Sequence, residues 1–312
     1  MHSDLGRPAK DLMVGFRSSP FGAYGHMLAD QNTFNILYGG KPLFYVTGAK
    51  LAMQDPLRLQ WYKATIGHNG ILVDGKGQLF GPDDYGWIAR FLGGNSLCYT
   101  VGDATMAYGR DGTKDATGLR RFKRHMLFLY PDIVVIYDEL KADHPVTWDW
   151  IIHSPGKFTL DSANGRFQVS AAGVSAEGRL FSPVPLTWAM WDTMTVKGVV
   201  WMEKRTMGGK KGGSPFDAWH LRADNARKVS ATRLLTVIRV NTGAEPSPEP
   251  AGFAPDSAGR IHVGGWTITA EMDTSRPALL TAVNHAHTTA FSSGGNELKV
   301  DGQTFRGTPG AS

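Results

Sequence analysis

The chain has 312 residues, enough for one large β domain or two smaller ones, and its 42% hydrophobic and 20% charged content allows a sizeable core and excludes a disordered chain. A net charge of +5 leaves the surface mildly basic and open to acidic partners such as acidic polysaccharide, nucleic acid or anionic lipid, yet no long Lys/Arg run appears. The 38 glycines, 17 prolines and nine tryptophans suit many short strands joined by tight turns, lone Cys98 excludes an internal disulfide, and no apolar stretch is long enough to span a membrane.

Taken in chain order, Met1 to Asp11 are polar with no apolar core of a leader, so no signal peptide is expected. A motif-dense segment within the first thirty residues makes the chain read as a piece of a longer protein. That segment runs from Arg17 to Phe34: Arg17-Ser18-Ser19-Pro20-Phe21-Gly22-Ala23-Tyr24-Gly25-His26 followed by Met27-Leu28-Ala29-Asp30-Gln31-Asn32-Thr33-Phe34. His26 and Tyr24 can move protons, Arg17 and Asn32 can bind a carboxylate, and loops at sandwich edges are where sites sit. Arg17, Tyr24 and Gln31 are expected to line one patch on a sandwich surface, shared by His26 and by His68 and Asn69 of the next cluster. A second cluster, Trp61-Tyr62-Lys63-Ala64-Thr65-Ile66-Gly67-His68-Asn69-Gly70, again groups His, Asn and aromatic residues at a strand start. Tyr62, His68 and Asn69 are its candidate binding residues.

Strand-like runs recur at Thr33–Tyr38, Leu43–Thr47, Gly70–Val73, Leu97–Gly102, Phe122–Leu129, Ile133–Asp138, Thr147–His153, Phe167–Ala171, Thr187–Trp191, Gly198–Met202, Arg233–Val240, Trp266–Glu271 and Ala278–Asn284. They are rich in β-branched and aromatic residues and bounded by Gly, Pro, Asn or Asp. Between Phe122–Leu129 and Ile133–Asp138, Tyr130-Pro131-Asp132 carries turn chemistry. Two nearly continuous apolar strands there predict the middle of a sandwich rather than an edge. Arg120, Arg121, Lys123 and Arg124 lead into the first of them and read as a solvated strand face, not a nucleic-acid patch. His125 and His153 read as hydrogen-bonded interior imidazoles. Trp148 with Trp150, and Trp188 with Met190, read as core pairs on one strand face.

Gly208–Gly213, with Lys210 and Lys211, reads as a flexible loop too irregular to cradle a phosphate. Thr242–Gly259 holds four prolines and no apolar period, and is expected to be a linker or long surface loop. His285 and His287 share a strand face without an acidic neighbour, a spacing read as chance. The expectation is an all-β protein with little helix: a large antiparallel β-sandwich over residues 12–243 and a smaller C-terminal β unit over 256–312.

Ser18-Ser19-Pro20-Phe21-Gly22, Gly25-His26 and Ala29-Asp30-Gln31-Asn32-Thr33-Phe34 together resemble the first signature of the heparinase II/III-like family. His68-Asn69-Gly70-Ile71-Leu72-Val73-Asp74-Gly75-Lys76-Gly77-Gln78 resembles its second, and Arg121 to Asp138 looks like the family's core hairpin. The resemblance is strong over residues 14 to 153 and weak beyond. It implies stacked antiparallel sheets preceded by an N-terminal α/α toroid that this chain lacks, in a periplasmic or secreted lyase. It implies cleavage of an acidic, uronate-containing polysaccharide, such as a glycosaminoglycan or alginate, by β-elimination, with His26 beside the substrate carboxylate and most other reacting groups on the toroid. Many relatives also hold a structural zinc. Leu28 and Val46 stand where two of its ligands would be and only His68 remains, so no metal and no cofactor are expected. The family position is then either packed with apolar side chains or belongs to a protein that has lost activity. A non-catalytic carbohydrate-binding or structural β-sandwich is the alternative to the lyase reading. Neither nucleic acid nor membrane is an expected partner.

Overall fold

The computed structural model describes every residue except 48–53, 111, 197–198, 203–217, 243–252, 285, 287–288, 295–296 and 307–312. The Gly208–Gly213 loop, most of the Pro-rich stretch and His285 and His287 therefore lie outside the described residues. The strands in chain order are β1 (Leu12–Arg17), β2 (Thr33–Tyr38), β3 (Lys41–Phe44), β4 (Ile71–Val73), β5 (Trp87–Gly93), β6 (Leu97–Asp103), β7 (Leu119–Leu129), β8 (Ile133–Val146), β9 (Trp148–Ser154), β10 (Thr159–Asp161), β11 (Arg166–Ala171) and β12 (Val174–Phe181). They continue with β13 (Leu186–Trp191), β14 (Thr193–Val196), β15 (Val199–Met202), β16 (Trp219–Asn225), β17 (Val229–Asn241), β18 (Ile261–Val263), β19 (Trp266–Ala270), β20 (Leu279–Asn284), β21 (Thr289–Gly294), β22 (Glu297–Val300) and β23 (Gln303–Arg306). Helix among the described residues is confined to residues 56–62 and a few short 3-10 turns. The all-β expectation holds, and each of the thirteen runs read from the sequence overlaps a strand.

An eight-stranded antiparallel sheet, ordered β10-β11-β12-β17-β8-β7-β6-β5, forms the middle of the stack. On one face it packs against the three-stranded sheet β1-β2-β3 and the four-stranded sheet β13-β16-β9-β4. Phe122, Met126 and Phe128 of β7, Val134 and Ile136 of β8 and Ile238 of β17 meet Phe34, Ile36, Trp148, Trp150 and Leu221 there. On the other face, Leu127 and Leu129, Val135 and Tyr137, and Val237 meet Trp266, Ile268, Leu280 and Phe291 of the six-stranded C-terminal sheet. A strand covered on both faces has no side left for polar alternation, which is why β7 and β8 read as continuous apolar runs. Their hairpin closes at Leu129↔Ile133 across the expected Tyr130-Pro131-Asp132 turn. Trp148 and Trp150 are core as expected. Trp188 packs partly buried on the same core, whereas Met190 is exposed.

One expectation is corrected here. Arg120 and Arg121 are exposed, but Arg124 is fully buried. Its register partner across the β7–β8 hairpin is Asp138, itself 1% exposed, and the guanidinium grips it with two bonds, Nε to Oδ1 at 2.7 Å and Nη2 to Oδ2 at 2.8 Å. The third nitrogen, Nη1, donates to the carbonyls of Asn32 at 2.8 Å and Asn69 at 3.0 Å. The Phe34 and Phe122 rings lie 5.6 and 5.4 Å from the cation. A planar five-donor fork can satisfy a carboxylate and two carbonyls at once, which a lysine cannot. Arg124 points inward because Asp138 and the loop carbonyls just before β2 and β4 meet its donors there.

Candidate functional site

The two signature segments meet through bonds between residues 29–31 and 63–78. Asn32, in a left-handed conformation (φ 55°), donates its side-chain amide to the carbonyls of Gly102 and Phe122 at 3.0 and 3.1 Å. Asn69 donates to Phe34 O at 2.8 Å and accepts the His153 backbone N–H at 2.7 Å. The Gln78 side chain grips the Gln31 backbone, accepting from Gln31 N and donating to Gln31 O, both at 2.8 Å, while the Gln31 side chain accepts from Ser19 N at 2.7 Å and donates to Phe21 O at 2.9 Å. Thr65 Oγ1 donates to Ala29 O and accepts from Gln78 N, each at 2.8 Å. Ala29 N bonds to Lys63 O at 2.9 Å and Lys63 Nζ to Gly25 O at 3.1 Å. The loop from Ser18 to Asp30 is thereby tied to the 61–78 segment at Gly25 and Ala29 and to Gln31 at Ser19 and Phe21.

His26 and Tyr24 lie exposed at the crest of that loop, and Tyr62 is half-buried below it. Arg17 is half-buried, ion-paired to Asp30 and within 3.5 Å of Leu28 O, and burial lowers its pKa. Gln31, His68 and Asn69 depart from the sequence reading. All three are buried, and the bonds above occupy the amides of Gln31 and Asn69. These residues shape the site from beneath instead of facing solvent, because the carbonyls and amides of a folded-over loop need partners that water cannot reach.

His68 sits in a buried imidazole cluster that the sequence did not announce. Its Nε2 donates to Tyr62 O at 3.0 Å, and burial pulls its pKa down to about 4 despite that bond. Nearby, His153 and His220 are both fully buried and share a bond between their Nδ1 atoms at 2.8 Å, with the Trp61 and Trp191 rings tilted against the His220 ring at centroid distances of 5.0 and 5.4 Å. Burial lowers His220 to about 3, and burial together with His220 and His68 lowers His153 well below the usual range. His153 is thus interior as expected, with one ring nitrogen paired and Nε2 left without a partner. His125 is paired on both sides, to the Tyr99 hydroxyl at 2.7 Å and Glu139 at 3.0 Å. His220 lies on β16, a strand the sequence reading passed over, so nothing in spacing linked it to His68.

The family zinc does not fit this donor set. Leu28 and Val46 bring no metal-binding atom, the Val46 N–H is bound to Asn35 Oδ1 at 3.0 Å, and His68 Nε2 is held by Tyr62 O. Among the described residues, no three His, Cys, Asp or Glu side chains are grouped to hold an ion. No helix among those residues is long and apolar enough to cross a membrane.

The profile of the family described as heparinase II/III-like, C-terminal, matches residues 7–250. Among solved structures, a heparinase III gene product superposes with a TM-score of 0.64 at 14% identity, over 98% of this chain and 40% of that one. The heparan sulfate lyase HepC from Pedobacter heparinus gives 0.61 at 12% identity, over 98% and 40%. A further heparinase III gives 0.56 at 14% identity, over 96% and 39%. At these identities the likeness is one of fold, and the chain spans about 40% of the length of the structures it matches. No curated protein sequence matches the chain.

Proposed function

Because this chain belongs to the heparinase II/III-like, C-terminal family, we propose that it forms one wall of a polysaccharide lyase that cleaves an acidic, uronate-containing polysaccharide by β-elimination. The facing wall is an N-terminal α/α toroid outside these 312 residues, a reading supported by the 40% span of the matched heparinases. The observation that carries the proposal is the exposure of His26 on a loop tied down by Gln31 at Ser19 and Phe21, by Lys63 at Gly25 and by Thr65 at Ala29. Such a loop presents the imidazole to open space, where a substrate carboxylate can meet it, as an active-site wall requires.

The chemistry asks for three things. The C5 proton of a uronate becomes acidic when its carboxylate is neutralised, a base must remove that proton, and an acid must protonate the departing O4. His26 meets the carboxylate, with the mildly basic surface drawing the polyanion in. The toroid supplies the remaining groups. The mature enzyme works in the periplasm or outside the cell, where glycosaminoglycan- or alginate-like polymers occur.

The test is ultraviolet detection of unsaturated uronate across a panel of acidic polysaccharides. Joined to its toroid, the protein should cleave at least one of them, and His26→Ala should lower kcat/KM by about 10²-fold or more. Residues 1–312 alone should turn over little, since orientation contributes about 7–11 kcal/mol of barrier lowering. Vigorous cleavage by residues 1–312 that ignores His26→Ala would overturn the proposal.

A further inference from the structure

Five aromatic rings stand exposed among the described residues, namely Phe21, Tyr24, Phe80, Phe91 and Phe305, and three of them gather around the His26 loop. Phe21 is 67% exposed, Tyr24 72% and Phe80 50%. Their backbone is not free to fold them away. Gly22 lies against the residue 81–84 turn so closely that a Cβ would come within 2.0 Å of Gly81 O and 2.7 Å of Asp84 O. Gly22 N bonds to Pro82 O at 3.3 Å and Gly86 N to Ser19 O at 2.9 Å. Rings carried on a backbone tied to its neighbours form a ready contact surface, because little backbone ordering is left to lose when a partner arrives.

Lys63 identifies the partner's chemistry. Its ammonium donates to Gly25 O, next to His26, and lies 5.1 Å from the centroid of the Phe80 ring. Burial, with Arg58 nearby, lowers its pKa. A cation beside exposed rings matches an anionic pyranose: the ring stacks on the sugar's C–H face and the ammonium meets its carboxylate or sulfate. An apolar protein surface would have no use for the charge.

We propose that Lys63 and Phe80, flanked by Phe21 and Tyr24, form a subsite for one anionic sugar residue, placed beside His26 on the Gly25 side of the loop. The subsite rests on the lyase reading above only for the identity of the polymer, since its geometry stands apart from catalysis. Lys63 lies within the Trp61–Gly70 cluster, but the sequence offered no way to join it to Phe80, seventeen positions later and across a turn.

Titration calorimetry of residues 1–312 tests it with three tetrasaccharides: sulfated uronate-containing, unsulfated uronate-containing and neutral. At least one anionic tetrasaccharide should bind more tightly than the neutral one, and the stronger of the two reveals whether sulfate or carboxylate is read. Phe80→Ala and Lys63→Gln should each weaken that binding by about tenfold. Lys63→Arg should retain it to within about threefold, and the salt dependence should flatten in Lys63→Gln. Unchanged affinity in folded Phe80→Ala and Lys63→Gln variants would overturn the subsite and leave the lyase reading standing on His26. Lysis that never appears in the toroid-bearing protein, with the binding losses intact, would overturn the lyase reading and leave the subsite. Failure of both anionic tetrasaccharides to bind would overturn the subsite. So would hydrogen-exchange protection of residues 20–27 and 79–82 by the toroid alone, unaltered by sugar, since the rings would then be an internal docking face.

Discussion

Arg124→Met tests whether one buried cation joins the sandwich core to the site loop. Methionine keeps the apolar stem and removes the fork. The change strands Asp138, 1% exposed, as an uncompensated carboxylate and leaves the carbonyls of Asn32 and Asn69 without their donor. Breaking a buried pair by deleting one partner costs about 3–5 kcal/mol, a large part of the roughly 5–15 kcal/mol that holds a typical fold. Tm should fall by roughly 10 °C. Adding Asp138→Leu should recover most of the carboxylate's share, since an apolar pair often matches an ionic one. It should not recover the two carbonyls, each worth about 1–3 kcal/mol when orphaned. Chemical denaturation of the wild type, Arg124→Met and the double variant measures the first part. Hydrogen exchange at residues 18–33 and 65–78 measures the second, which should stay elevated in the double variant. A loss under about 1 kcal/mol in Arg124→Met, or full recovery of loop protection in the double variant, would refute the assignment.

Acid should destabilise the protein through its buried imidazoles. His68 (about 4) and His220 (about 3) lie below their unfolded value of 6.5, so the unfolded chain takes up protons first and stability present above pH 6.5 drains away as pH falls toward 4. His68 alone accounts for about 3 kcal/mol, and a urea-midpoint series from pH 7.5 to 4.5 that stays flat would contradict this. Asp149 acts in the opposite direction. Burial, with its cross-strand neighbour Asp224 sharing a bond, pushes it up to about 7, so its stabilising contribution shrinks as pH rises from about 4 to 7. Asp149→Asn, which can still accept the Gly75 N–H now bound at 2.8 Å, should therefore stabilise by about 1–2 kcal/mol at pH 8 and by nothing measurable near pH 4, read as Tm at the two pH values. Gly22→Ala should lift the loop from the residue 81–84 turn at a cost of about 1–3 kcal/mol, seen as faster proteolysis within residues 18–27; an unchanged digestion rate would show that the turn yields instead.

Local pattern was enough to read the all-β class, the β7–β8 hairpin with its turn, the burial of Trp148 and Trp150, and the two segments that carry His26 and His68. Each of these depends on residues close together in sequence: alternation, turn chemistry and apolar run length act over a few positions. Chain order and spacing could not say which side chains of those segments face water. Gln31, His68 and Asn69 carry binding chemistry in any sequence reading, yet Gln31 spends it on Ser19 and Phe21, His68 on Tyr62, and Asn69 on Phe34 and His153, and only the closure of the loops and the folding of one segment over another create those partners. Arg124 is the sharpest case. A cation amid Arg120, Arg121 and Lys123 belongs by pattern to a wet face, but Asp138 on the returning strand and the carbonyls of Asn32 and Asn69, just before β2 and β4, turn the same position into a fully buried charge. The strands missed were mostly short or half-exposed, β5 at a sheet edge and β10 with three residues among them, where neighbours supply the order that local sequence lacks. The same holds for the His153–His220 pair and for Lys63 beneath Phe80, contacts across 67 and 17 positions that pairing between strands and closure of a loop alone bring together.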